Sequence, residues 1–222
     1  RQMSVSLFNQ VIETPQELAA CAYIRNVGNK VVELNSFSNH CVIALNLNSY
    51  ETKLEKELEK LANAILKNID RDFPIKEASI TYIKDMFIAA LNHGHGNLIA
   101  VADDIELLKS EGHLQGGLFL SDVIDFPKLL FDNSQQKSDQ TATTLNAFTQ
   151  LVISMLNFDG ITLFNSKGCV AGYHFIVDNS VAAKKPIVGG SRSRAFEALT
   201  QTNGITACLM KSQDGNIKYF EK

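Results

Sequence analysis

The sequence predicts an α/β fold, a mixed β-sheet flanked by helices, with a smaller N-terminal α/β region ahead of it. Three observations carry that expectation. Apolar residues recur at three- and four-residue steps over 49–69, 77–92 and 141–156, the period of helices with one buried face. Short apolar runs such as Leu98 to Val101 alternate with these helical stretches, as strands do in a sheet covered by helices. The C-terminal part then carries two strand–turn–strand patterns, which a purely parallel sheet does not contain.

Taken in order, Ser4 to Ile12 alternates weakly like a strand, and Thr14-Pro15 gives an N-cap and a first-turn proline for a helix over Gln16 to Arg25. Val31 to Leu34 and Cys41 to Leu47 are strand candidates. The helix expected from Ser49 to Ile69 carries Leu54, Leu58, Leu61, Ile65 and Ile69 as a narrow stripe, open to packing in a core or against a second copy. Pro74 breaks the chain, so the boundary is placed there, giving regions 1–73 and 74–222. A helix over Glu77 to Asn92 follows, then a glycine-rich turn and the Leu98 to Val101 strand.

Further along, Ile105 to Lys109 is expected to be a short helix, Gly116-Gly117 a turn, Leu118 to Leu120 a short strand, and Phe126 to Phe131 a helix. The polar run Asp132 to Asp139 is expected to be a flexible loop, with a lid as its functional alternative. A helix over Thr141 to Leu156 leads to Asp159. The first hairpin pairs Asp159 to Phe164 with Cys169 to Tyr173 across Asn165-Ser166-Lys167-Gly168. The second pairs Ile205 to Met210 with Asn216 to Phe220 across a turn containing Asp214-Gly215.

Between the hairpins, Gly189-Gly190-Ser191-Arg192-Ser193-Arg194 runs into the helix-forming Ala195 to Leu199. Free N–H groups and the positive end of a helix dipole beside two guanidinium groups form an anion site, phosphate above all. The alternative is a capped surface helix with solvated arginines. A formal charge of −3 over 222 residues gives no general attraction for polymeric nucleic acid. No apolar run approaches the ~20 residues of a membrane span, and no signal-peptide pattern opens the chain, so a cytoplasmic protein with no membrane segment is expected. Cys21, Cys41, Cys169 and Cys208 lack the C-x-x-C spacing of a metal or redox site and read as small buried hydrophobes. His93 and His95 have no third ligand nearby and read as turn residues rather than metal ligands.

Asp159-Gly160-Ile161 at a strand start, followed by the arginine segment at a helix start and a closing hairpin, resembles the diadenylate cyclase domain family, which carries Asp-Gly-Ala and Thr-Arg-His-Arg motifs in this order. The turn His93-Gly94-His95-Gly96 before Leu98 is similar to the family's turn before its first core strand, and the likeness extends from about Tyr82 to the C-terminus. It implies a nucleotide-binding domain over 74–222 that contacts its ligand through Asp159, Gly160, Ile161, Gly189, Gly190, Ser191, Arg192, Ser193 and Arg194. ATP, cyclic di-AMP or a related nucleotide is the implied ligand. If the chain is catalytic, the resemblance further implies Asp159 acting on the attacking 3′-hydroxyl, Mg2+ or Mn2+ as cofactor, and a homo-oligomer with one ATP held per copy. Ile161 stands in place of alanine, Ser191 of threonine and Ser193 of histidine, while Thr200-Gln201 takes the place of a Ser-Glu pair. Holding a phosphate needs only cations and backbone amides, whereas phosphoryl-type transfer also needs metal and correctly placed carboxylates. The expectation is therefore a sensor of an adenine nucleotide or cyclic dinucleotide, with an active diadenylate cyclase as the alternative.

Overall fold

The computed structural model describes residues 22–28, 31–36, 40–44, 53–70, 73–93, 96–177 and 190–222. The chain divides into two compact units, 1–50 and 51–222. In the first, strands β1 (Ala22–Gly28), β2 (Val31–Ser36) and β3 (His40–Ala44) form an antiparallel meander in that order. Residues 22–25 are thus strand, where the Thr14-Pro15 start signal predicts helix; backbone pairing with β2 overrides the weak local propensity. The predicted Ser4 to Ile12 strand and the first part of that helix lie outside the described residues.

The second unit is a seven-stranded mixed sheet between two layers of helix. Its elements are α1 (Lys53–Ile65), α2 (Lys76–His93), β4 (Asn97–Ala102), α3 (Ile105–Glu111), β5 (Leu114–Gln115), β6 (Leu118–Asp125), α4 (Phe126–Gln136), α5 (Asp139–Leu156), β7 (Ile161–Asn165), β8 (Cys169–Val177), α6 (Ser191–Gln201), β9 (Ile205–Lys211) and β10 (Ile217–Glu221). Strand order is β10-β9-β4-β7-β8-β5, with β6 also paired to β8. Among the described strands only the β4–β7 pairing is parallel; β9, β10, β8, β5 and β6 complete the sheet through antiparallel pairings, in keeping with the two predicted hairpins.

Alternation along β4 explains why both faces are covered. Ile99 and Val101 join the core formed with α1, α2 and α5, while Leu98, Ala100 and Ala102 join the one formed with α3 and α6. All six residues of β4 are buried, as expected of a central strand with helices on either side. The boundary predicted at Phe73-Pro74 lies inside this unit. Leu58, Leu61 and Ile65 of α1 are fully buried, and the helix packs on α2, β9 and β10, so its narrow stripe is spent within the fold rather than on a second copy. Pro74 marks a helix–helix turn, not a domain junction.

The polar run predicted as a loop or lid is the joint between two helices. Asp132 to Gln136 complete α4, Lys137 closes it in the left-handed conformation with φ 47°, and Ser138 caps α5 through a reciprocal hydrogen-bond pair with Thr141. Thr141 also donates to Asn133, which ties the two helices together. These polar side chains serve as caps. No helix of the described residues is long and apolar enough to cross a membrane.

Candidate functional site

The N-terminal ends of the parallel strands β4 and β7, the N-terminus of α6 and the far end of β8 meet at one cleft. Register builds its floor: Leu98 of β4 lies opposite Ile161 of β7, which lies opposite Phe175 of β8, so one row of apolar side chains crosses the sheet. All three line a cleft of about 200 Å3, together with Asp159, Gly160, His174, Ile176, Ser191, Arg192 and Ala195. Ile161 is wholly buried in this floor.

Asp159 and Arg192 form the polar wall. Arg192 Nη2 donates to Asp159 Oδ1 at 3.2 Å, across 33 residues of sequence. The Asp159 side chain is 85% exposed and that of Arg192 34%, so the pair sits at the mouth and is open to solvent and salt. Gly190 is the N-cap of α6 without a side-chain cap, and its carbonyl accepts from Arg194 N–H. Gly190 has no side chain with which to cap the first amides of α6, at the end that borders the cleft.

Two glycines make the approach of these groups sterically feasible. Gly160 has φ 105°, and a Cβ there would lie 2.9 Å from both His174 C and Phe175 O, so only glycine lets the Asp159 loop close against β8. Gly96 has φ 112°, and a Cβ there would meet Lys211 O at 3.1 Å and Arg192 Cζ and Nη1 at 3.2 Å. The guanidinium of Arg192 thus lies against the bare backbone of Gly96. His174 completes the arrangement: it sits at φ 64° and donates from Nδ1–H to the Asp159 carbonyl oxygen.

Of the residues expected in the site, the cleft brings together Asp159, Gly160, Ile161, Ser191 and Arg192. Ser193 instead faces the sheet, with its hydroxyl 3.9 Å from Met210 Sδ, and Arg194 is exposed outside the cleft lining. Gly190 is exposed at the helix start and also lies off the lining, and Gly189 lies outside the described residues. Leu98, His174, Phe175, Ile176 and Ala195 are lining residues that the sequence reading missed. A lone histidine within a strand gives no signal. The positive φ that singles out His174 is visible only once β7 and β8 are paired.

Among the described residues no three His, Cys, Asp or Glu side chains converge as a metal set. Asp159 is the carboxylate of the cleft lining, and its Oδ1 is engaged by Arg192. Among the described residues the cleft thus offers a divalent ion one carboxylate ligand, a number suited to an ion that arrives with phosphate oxygens rather than to a protein cage. Cys208 and Cys169 are buried free thiols outside the cleft lining, pushed up to about 12 and about 11 chiefly by burial, with Glu197 and Asp125 respectively adding to the effect. The chain matches no protein-family model and no curated protein.

Proposed function

We propose that this cleft binds the phosphate of an adenine nucleotide or cyclic dinucleotide, with Arg192, Ser191 and the α6 amides on the anion and Asp159 on the sugar. One observation carries the reading: a guanidinium is held at a helix N-terminus over an apolar cleft, 3.2 Å from a single exposed carboxylate. Cation, backbone amides and apolar floor are the three elements a phosphorylated small molecule requires. The cytoplasmic nucleotide pool is the setting this reading implies, and sensing is its role.

Titration calorimetry with ATP and cyclic di-AMP tests it. Arg192→Ala removes a charge-assisted hydrogen bond of about 1.5–3 kcal/mol and is expected to weaken binding by at least tenfold with the fold intact. Equal affinity in wild type and variant refutes the assignment.

The exposed Asp159 carboxylate beside Arg192 favours a second reading, diadenylate cyclase activity converting two ATP to cyclic di-AMP in a homo-oligomer with Mg2+ or Mn2+. Incubation with ATP and Mn2+ followed by mass spectrometry separates the two. Metal-dependent product from the wild type replaces the sensor reading with the enzymatic one.

A further inference from the structure

Two non-glycine residues among those described have positive φ, Lys137 and His174. Lys137 closes a helix, where the left-handed conformation is ordinary. His174 lies inside strand β8, where φ 64° is strained for a bulky side chain.

The strain has a geometric origin and a geometric result. Ile161 and Leu163, two residues apart on β7, pair with Phe175 and Gly172, three apart on β8, so β8 carries one extra residue as a bulge. The bulge brings His174 to the cleft wall. Its Nδ1–H is committed to the Asp159 carbonyl, which leaves Nε2 of the neutral ring as a lone-pair acceptor. Beside it stands Phe158, 58% exposed, whose ring meets His174 edge to face at 5.0 Å and Tyr173 edge to face at 6.2 Å. An exposed aromatic ring, steadied by two neighbours next to an oriented acceptor, is a stacking platform with one hydrogen-bond reader.

We infer that His174 of the cleft lining and Phe158, which stands against it just outside that lining, form the base-recognition edge of the cleft: Phe158 stacks on the base, and His174 Nε2 accepts from its exocyclic amino group. Adenine presents an amino donor at position 6, while guanine presents a carbonyl acceptor there, which would face the Nε2 lone pair without a proton between them. His174 is therefore a specificity-determining residue that favours adenine. This inference rests on the nucleotide reading of the cleft.

The test is calorimetry of the full chain with ATP, GTP and inorganic tripolyphosphate. Asparagine tolerates the left-handed backbone and supplies an N–H near the place of Nδ1–H, but has no counterpart of Nε2. His174→Asn is expected to weaken ATP about tenfold, abolish the ATP-over-GTP preference and leave tripolyphosphate unchanged. Phe158→Ala is expected to weaken both nucleotides and spare tripolyphosphate. His174→Gly provides the fold control: it relieves the backbone strain, so the Tm holds or rises while ATP affinity falls. ATP binding that depends on Arg192 but is unchanged in both His174 variants overturns the inference alone. A wild type that binds neither ATP nor tripolyphosphate overturns the cleft assignment and this inference with it.

Discussion

If Gly96 is the seat of the Arg192 guanidinium, then adding one methyl there should damage ligand binding through Arg192 and nothing else in the cleft. The new Cβ of Gly96→Ala would lie 3.1 Å from Lys211 O and 3.2 Å from Arg192 Cζ. Lys211 O belongs to β9, which pairs with Asn97 of β4, so that carbonyl is fixed and the guanidinium is the group that moves. A shift of a few tenths of an ångström forfeits part of a charge-assisted bond. Taking half of its usual 1.5–3 kcal/mol gives about 0.8–1.5 kcal/mol, a factor of roughly 4 to 13 in affinity. The left-handed backbone costs stability separately, about 1–2 kcal/mol, or a fall in Tm of about 2–8 °C for a chain of this size. Gly215→Ala isolates that second effect, because Gly215 has φ 81° with nothing within 4 Å of a Cβ. Calorimetry and thermal melts on Gly96→Ala, Gly215→Ala, Arg192→Ala and the Gly96→Ala/Arg192→Ala double variant complete the cycle. Gly215→Ala should lower the Tm and spare affinity, and Gly96→Ala should cost no affinity once Arg192 is gone. An affinity loss from Gly96→Ala that persists in the Arg192→Ala background refutes the coupling.

Asp159→Asn removes the carboxylate facing Arg192; since that carboxylate is 85% exposed, tripolyphosphate binding should strengthen only about two- to fivefold, less at high salt, and weaker binding would assign Asp159 a direct ligand contact. Cys169 and Cys208 should resist a thiol reagent until the protein unfolds, measured in a Cys21→Ser/Cys41→Ser background, because both are buried and protonated. Folded thiols pushed up to about 11 and about 12 keep protons that unfolded thiols release above 9.0, so stability falls as pH rises from there toward 12; Cys208→Ala should flatten part of that slope in denaturant melts at stepped pH.

The sheet was legible where local signals and tertiary demands agree. The apolar run Leu98 to Val101 after its glycine turn reads as a strand, and it is the buried centre of the sheet because helices cover both faces. The stripe of α1 was legible as helix but not as to its partner, since periodicity reports that a face is buried and never against what. The run Asp132 to Asp139 misleads for a physical reason: Asn, Ser and Asp are loop formers by composition, and the same hydrogen-bonding capacity lets Ser138 cap α5 and Asn133 accept from Thr141 where two helices meet end to end. Asp159 and Arg192 were legible as separate anion and cation candidates from short motifs. Gly96 was seen only as part of a turn, because the residue that needs its missing side chain stands 96 positions later in the chain.

The departures from the cyclase-like motifs differ in weight once they are placed in space. Ile161 alters the cleft itself, since it is the middle of the floor. Ser193 stands toward Met210, whose Cα partner is Leu98, so a larger imidazole there would press on the same floor row from the helix side. Gln201 is different. It is exposed as the last residue of α6, ten residues beyond Ser191, and at 1.5 Å per residue this is about 15 Å along the helix axis from the end that borders the cleft. Glu197 is nearer, yet its carboxylate is paired with Lys218 at 3.0 Å. Changing Gln201 to glutamate would therefore add no second carboxylate beside Asp159 within one copy of the chain. Among the described residues Asp159 is the carboxylate lining the cleft, so a transfer reaction would ask for anionic ligands beyond them, whereas holding a phosphorylated ligand asks for nothing beyond Arg192, the α6 amides and the apolar floor. That asymmetry in what each activity demands of one chain is the physical ground for preferring recognition over turnover.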